Sequence, residues 1–308
     1  MKKFLAFLTS IRPVNLFIIV LSQYLVRHFL ILAIYQVEKN ATGNFPLHMS
    51  EEYFFLLVLS TVLIAAAGYI LNDNIDASID RVNRPQKNSF AAGISRTAAI
   101  NTFVIMTSVA VAVAFFLADS VLNFWLGFVQ VGSVVLLALY SGVLKKIMFA
   151  GNITVALLSA MVIITAGLYE PSLYPNFGFV GIYAGFAFML SFMREIVKDA
   201  EDMEGDRTSG RKTIPVVLGI STTKVILSVL ILLTAFGTAK ILYDFFYNYT
   251  YYSFWKIFAG FELPLLILLV LTWRANKKSD FRTLSLLLKI VMLLGILTLL
   301  PFYYLVIS

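Results

Sequence analysis

Residues 51–80, EEYFFLLVLSTVLIAAAGYILNDNIDASID, carry an apolar run over 52–71 that stops abruptly at Asn72-Asp73-Asn74-Ile75-Asp76-Ala77-Ser78-Ile79-Asp80. An apolar run of this kind matches the ~20 residues an α-helix needs to cross a bilayer. Working outward, similar runs recur near 13–35, 97–118, 121–143, 149–168, 177–197, 222–243, 255–273 and 284–306, which predicts nine spans. Ala118, Asp119 and Ser120 are expected to form a tight hairpin between the third and fourth.

Composition agrees with the runs. Of 308 residues, 60% are hydrophobic and only 13% charged, far from the mixture of soluble domains. There is no cysteine and there are two histidines, His28 and His48. That excludes disulfides, thiolate metal sites and cysteine nucleophiles, and leaves too few histidines for a zinc or haem site. A metal here has to be hard and oxygen-bound. The start, MKKFLAFLTSIRPVN, has no small-residue cleavage site, so residue 1 onward reads as mature protein.

The net charge of +7 sets topology and does not signal a nucleic-acid partner, because basic residues gather in cytoplasmic loops. Sorting them by loop puts 19 of the 24 on one side. The expectation is an integral protein of the cell inner membrane with a cytoplasmic N-terminus. Arg27 and Lys289 fall within or near spans, where they are expected to snorkel to an interface. The loops on the other side, such as 36–51 and 169–176, are read as interfacial connectors without chemistry.

Nine of the 17 acidic residues lie in two short stretches at the cytoplasmic ends of spans two and six. The second reads Arg194-Glu195-Ile196-Val197-Lys198-Asp199-Ala200-Glu201-Asp202-Met203-Glu204-Gly205-Asp206. On a helix Asn72, Asp76 and Asp80 share one face, as do Asp202 and Asp206, while Asp73 points elsewhere. Carboxylates stacked in this way repel one another, and a helix C-terminus is the wrong end for them, so the pattern costs stability unless a cation is present. Mg2+ takes one or two carboxylates and fills its other positions with water and phosphate oxygens. Arg81, Arg84 and Lys87 beside the first stretch, and Arg194, Lys198, Arg207, Arg211 and Lys212 beside the second, supply cations for free phosphate oxygens. Together these describe a diphosphate site. A salt-bridged, solvated loop explains the charge but not the recurrence of the spacing.

At these residues the chain resembles the UbiA superfamily of intramembrane prenyltransferases. Its first motif, NDxxDxxxD, is matched by Asn72 to Asp80, and its second, DxxxDxxxG, by Asp202, Asp206 and Gly210. Arg12-Pro13, Tyr140-Ser141, Leu144-Lys145 and Gly151-Asn152 match as well. The resemblance covers essentially the whole chain. It implies one all-α transmembrane domain over 1–308, with about nine helices around a central cavity and the two motifs facing each other across it on the cytoplasmic side. It further implies Mg2+ held by Asn72, Asp76, Asp202 and Asp206, with Asp73, Asp80 and Asp199 in support. The string REIVKDAEDMEGDRTSGRKTIPV looks most like the digeranylgeranylglyceryl phosphate synthase branch. After Asn83-Arg84-Pro85 the chain departs from that branch, reading Gln86-Lys87-Asn88-Ser89-Phe90-Ala91-Ala92-Gly93.

The activity implied is Mg2+-dependent transfer of a prenyl group from a polyprenyl diphosphate to a membrane-associated acceptor. The leading acceptor is the hydroxyl of geranylgeranylglyceryl phosphate; the alternative is an aromatic quinone precursor, dihydroxynaphthoate or hydroxybenzoate. Asp76, Asp202, Arg84, Lys145 and Tyr140 are the catalytic candidates. Arg81, Lys146, Arg194, Lys198 and Arg211 are candidates for binding phosphate oxygens, and Arg12 and Asn15 for the acceptor headgroup. A transporter, the reading outside enzymes, calls for ionisable groups near the bilayer midplane on several spans, whereas these spans are almost free of charge.

Overall fold

The computed structural model describes residues 10–43, 47–77, 95–246 and 251–307, and among them there is no strand. With no water in the hydrocarbon to satisfy backbone groups, apolar runs of this length close their hydrogen bonds internally as helices. In chain order these are α1 (Pro13–Leu25), α2 (Leu32–Thr42), α3 (Glu51–Ile75), α4 (Arg96–Ser120), α5 (Gly127–Gly142), α6 (Ala150–Leu168), α7 (Phe177–Glu201), α8 (Met203–Thr208), α9 (Ile214–Phe246), α10 (Tyr251–Arg274), α11 (Lys278–Leu297) and α12 (Leu299–Ile307). Among the described residues eight stretches are long and apolar enough to cross a membrane. The remaining expected run, 255–273, lies on α10. The chain is an integral membrane protein.

Two boundaries differ from expectation. Helix α4 runs through Ser120, and the hairpin turns later, at Val121 to Asn123, where Leu122 adopts φ 54. Helix α9 begins at Ile214, not near 222, because Gly219 (φ 79, ψ 165) makes a corner inside it. Only glycine adopts that backbone without strain, so a short apolar turn precedes the span.

The chain forms two compact units. One comprises Met1–Lys145 and Met161–Gly181, the other Lys146–Ala160 and Ile182–Ser308. In the first, α3 packs against α1, α4 and α5. Gly68 lets α3 approach α5 closely, since a Cβ there would lie 2.2 Å from Leu137. The buried Gln23 amide bonds across to the helix that precedes Tyr169, as polar groups in hydrocarbon surroundings tend to do: its Nε2 donates to Thr165 Oγ1 at 3.1 Å and to the Val162 carbonyl at 3.0 Å.

Arg27 does not snorkel. It is 0% exposed, on a π-helical turn (Val26–Ile31) that joins α1 to α2. Its guanidinium donates to Glu170 Oε1 and to the Met49 carbonyl. Glu170, 1% exposed, also accepts from the backbone N–H of His48 at 2.8 Å and of Met49 at 3.1 Å. Pairing within the protein replaces the interface that snorkelling would have reached, and the extra residue of a π-turn places Arg27 for it.

In the second unit, Leu190, Met193 and Val197 of α7 pack with Leu227 of α9, Leu268 of α10 and Leu288 of α11. Helix α11 runs antiparallel to α7. Arg282 Nε donates to Glu201 Oε1 at 3.1 Å at one end, and Tyr183 and Thr298 meet at 3.3 Å at the other. A Cβ on Gly295 would lie 2.2 Å from Phe186, so glycine is needed for this approach.

Candidate active site

The first acidic stretch begins inside α3. That helix ends at Ile75 with Asp76 as its C-cap, and the Asp76 N–H donates to the Asn72 carbonyl at 2.9 Å. One turn apart, Asn72 and Asp76 turn their side chains toward the same cation. Lys145 Nζ donates to Asn72 Oδ1 at 3.0 Å and to Asp76 Oδ1 at 2.7 Å. Lys145 and Asp76 are both buried, at 7% and 8% exposure. Lys145 reaches them from the 3₁₀ turn Leu144–Lys146 that follows α5. Asp73 faces elsewhere, as the helical spacing predicted, and accepts from Arg12 Nη2 at 2.6 Å.

Arg12 stacks over Tyr69 at 4.8 Å and lies within electrostatic reach of Tyr140, so three sequence candidates, Arg12, Asp73 and Tyr140, come together. Burial opposes the Arg12 charge, but Asp73 and Tyr69 outweigh it and hold the guanidinium above its ordinary value. Arg12 adopts φ 53. The following Pro13 disfavours the right-handed helical region, and the left-handed alternative costs about 1–2 kcal/mol for a residue with a Cβ. Asn15 lies half-buried in the first turn of α1, its N–H bonded to the Arg12 carbonyl at 2.8 Å.

The second stretch spans the end of α7 and the first four residues of α8. Asp199 Oδ2 accepts from Asn152 Nδ2 at 2.7 Å, Asp202 Oδ1 lies 3.8 Å from Lys278 Nζ, and Asp206 Oδ1 lies 3.5 Å from Arg211 Nη1. Gly210, the last position of DxxxDxxxG, adopts φ 71. Its N–H bonds to the Arg207 carbonyl at 3.2 Å, and the Arg211 N–H bonds back to the Asp206 carbonyl at 2.9 Å. This paired closure is a Schellman turn, which needs a left-handed residue at this place, and it returns Arg211 beside Asp206. The motif glycine is thus a chain reversal that positions a cation.

Lys198 Nζ donates to Glu195 Oε1 at 2.7 Å, and Arg194 Nη1 lies 3.6 Å from the same oxygen. Lys146 is exposed, and its carbonyl accepts from the Lys212 N–H at 3.1 Å. Asp80, Arg81 and Arg84 lie outside the described residues. Asn152, which the sequence offers only as part of the Gly151-Asn152 match, and Lys278 are partners of these acids that the motif spacing does not reveal. The signal for Asn152 was a carboxamide opening an apolar span; Lys278 carried none beyond its charge.

Among the described residues no three acids gather at one point. Both stretches nonetheless fit a hard cation: every donor is oxygen, Asn72 and Asp76 already converge on one positive centre, and Mg2+ requires only one or two carboxylates from the protein.

The chain matches the UbiA prenyltransferase family over residues 29–306. It is 35% identical over 195 residues to the digeranylgeranylglyceryl phosphate synthase of Pyrococcus abyssi, covering 62% of this chain and 67% of that one. Across such synthases the aligned stretch spans 60–71% of their length. A solved structure concerning digeranylgeranylglyceryl phosphate synthase in membranes superposes with a TM-score of 0.68 at 22% identity, covering 98% of this chain and 99% of that one. A UbiA homologue from Archaeoglobus fulgidus bound to GPP and Mg2+ gives 0.58 at 17% identity, covering 94% and 98%. With a match extending over nearly all its helices and both acidic motifs, the chain belongs to the UbiA prenyltransferase family.

Proposed function

We propose that this protein transfers a prenyl group from a polyprenyl diphosphate to the free hydroxyl of geranylgeranylglyceryl phosphate, forming an ether lipid, with Mg2+ as cofactor and residues 1–308 acting as one prenyltransferase domain. The observation that carries the reading is the Asn72–Asp76 pair converging on Lys145, in a chain whose relatives include digeranylgeranylglyceryl phosphate synthases. The Mg2+ and GPP bound to the Archaeoglobus homologue support the cofactor and donor class. The one-sided distribution of basic residues supports a cytoplasmic N-terminus, with the acidic motifs on the cytoplasmic side of the cell inner membrane.

Asn72 and Asp76 are the candidate Mg2+ ligands of the first motif and Asp202 and Asp206 those of the second, with Asp73, Asp80 and Asp199 in support. Mg2+ supplies charge neutralisation to the diphosphate leaving group. Lys145, Lys198 and Arg211, with Arg84, donate to free diphosphate oxygens and lower the cost of the charge that develops as the allylic C–O bond breaks. The apolar spans exclude water that would otherwise capture the prenyl cation. Tyr140 offers a ring face to that cation. The acceptor oxygen forms the new C–O bond and releases its proton.

The test is turnover of geranylgeranyl diphosphate in detergent with Mg2+, supplying geranylgeranylglyceryl phosphate together with dihydroxynaphthoate and hydroxybenzoate. The expected product is a diether phosphate that chelator abolishes and that Asp76→Ala and Asp202→Ala each reduce by about 10²-fold or more. An alkylated aromatic would move the acceptor, and full turnover in both variants would sink the site assignment.

A further inference from the structure

Two cations sit inside the second unit below the acidic motif. The contacts between Arg282 and Glu201 and between Gly295 and Phe186 set the antiparallel register of α11 on α7. In that register Arg194 and Lys289 fall at the same level, each about two helical turns, or about 10 Å, inward of the Glu201–Arg282 pair. Each is seven residues from its end of the Glu201–Arg282 pair and so stays on that pair's face of its helix, and the Arg194 charge acts on Lys289. Neighbouring Glu195 makes its short bond, 2.7 Å, to Lys198, and its approach to Arg194 is 3.6 Å. The Arg194 Nε is buried and makes no hydrogen bond.

Like charges facing each other inside a span are costly and mark a place where an anion or a conduction path is used. Resting on the lipid-phosphate acceptor argued above, we propose that Arg194 and Lys289 form a second anion subsite, which holds the phosphate monoester of the acceptor and not the donor diphosphate. The depth fits that chemistry. A nucleophile approaches the reacting carbon from the side away from the leaving diphosphate, at about 3 Å. The acceptor phosphate lies a few bonds beyond its hydroxyl, so donor and acceptor phosphates are separated by about 10 Å, the distance between the acidic motif and the Arg194–Lys289 level. A subsite of this kind recognises a phosphorylated alcohol and gives no advantage to the same alcohol without phosphate.

Lys289→Met removes a charge from a span, which favours insertion, and retains the length of the side chain. The expected result is a rise of at least tenfold in KM for geranylgeranylglyceryl phosphate, with KM for geranylgeranyl diphosphate unmoved. The preference for geranylgeranylglyceryl phosphate over geranylgeranylglycerol should fall by the same factor, and Lys289→Arg should restore it. Equilibrium binding of radiolabelled geranylgeranylglyceryl phosphate in chelator, without donor, should weaken in parallel. Unchanged KM and binding for the phosphorylated acceptor in Lys289→Met, or an equal loss for the donor, overturns the subsite while leaving the activity in place. A wild-type enzyme that alkylates only aromatics overturns the lipid-phosphate reading and the subsite with it.

Discussion

Lys145 Nζ lies 2.7 Å from Asp76 Oδ1, with both side chains buried, so an ammonium from the turn after α5 closes the end of α3. A divalent ion entering between Asn72 and Asp76 competes with that ammonium for the same oxygens. Replacing Lys145 by Met removes one partner of a buried pair, a change that costs about 3 kcal/mol. In chelator the variant should melt several degrees below wild type, and Mg2+ should recover most of the difference. Thermal denaturation in detergent with and without Mg2+ checks both points, and its turnover should still fall because the diphosphate loses a donor.

Gly210 holds φ 71 with nothing within 4 Å of a Cβ placed there. Gly210→Ala therefore meets only backbone strain, about 1–2 kcal/mol for the left-handed conformation. Relaxing that strain opens the Schellman turn and draws Arg211 away from Asp206. The Mg2+ concentration at half-maximal rate should rise more than the melting temperature falls, as a Mg2+ titration of turnover would show.

Asn152 is the hydrogen-bond donor to Asp199 at 2.7 Å. Asn152→Ala leaves a carboxylate oxygen without that donor, a loss of about 1.4 kcal/mol, or tenfold in kcat/KM, for the prenyl diphosphate. Asn152→Asp should be worse, because it removes the amide donor and sets a second acid against Asp199. Steady-state kinetics on the two variants orders them.

Arg27 and Glu170 form a pair at 0% and 1% exposure, far along the chain from both acidic motifs. Arg27→Ala or Glu170→Ala alone should destabilise the protein by about 3–5 kcal/mol. The double change to Met should recover part of that loss, because no charge is then buried alone. Chemical denaturation of the three variants measures the coupling.

The hydrophobic runs and acid spacing made the helical fold and the two motifs readable, because each depends on residues close in sequence. Asn72 and Asp76 sharing a face follows from helical spacing, and so does Asp73 turning away. What could not be read were partners supplied by other helices. Nothing local tells that Lys145 closes on Asp76, or that Arg27 meets Glu170. Periodicity also missed Gly219, whose corner sits inside an apolar stretch, and read the glycine of DxxxDxxxG as a motif letter when its φ places Arg211. Lys289 looked like an isolated charge until the register of α11 on α7 set it opposite Arg194.

The Arg27–Glu170 pair also sets an order of events during synthesis. The partners are 143 residues apart, so at about 5–20 residues per second Arg27 is made roughly 7 to 30 s before Glu170, its buried partner, exists. Over that interval the first span carries a charge that lipid does not accommodate. That span is expected to stay at the insertion machinery or at the membrane edge and to dock only after the fifth has emerged, making it the last of the early helices to reach its place.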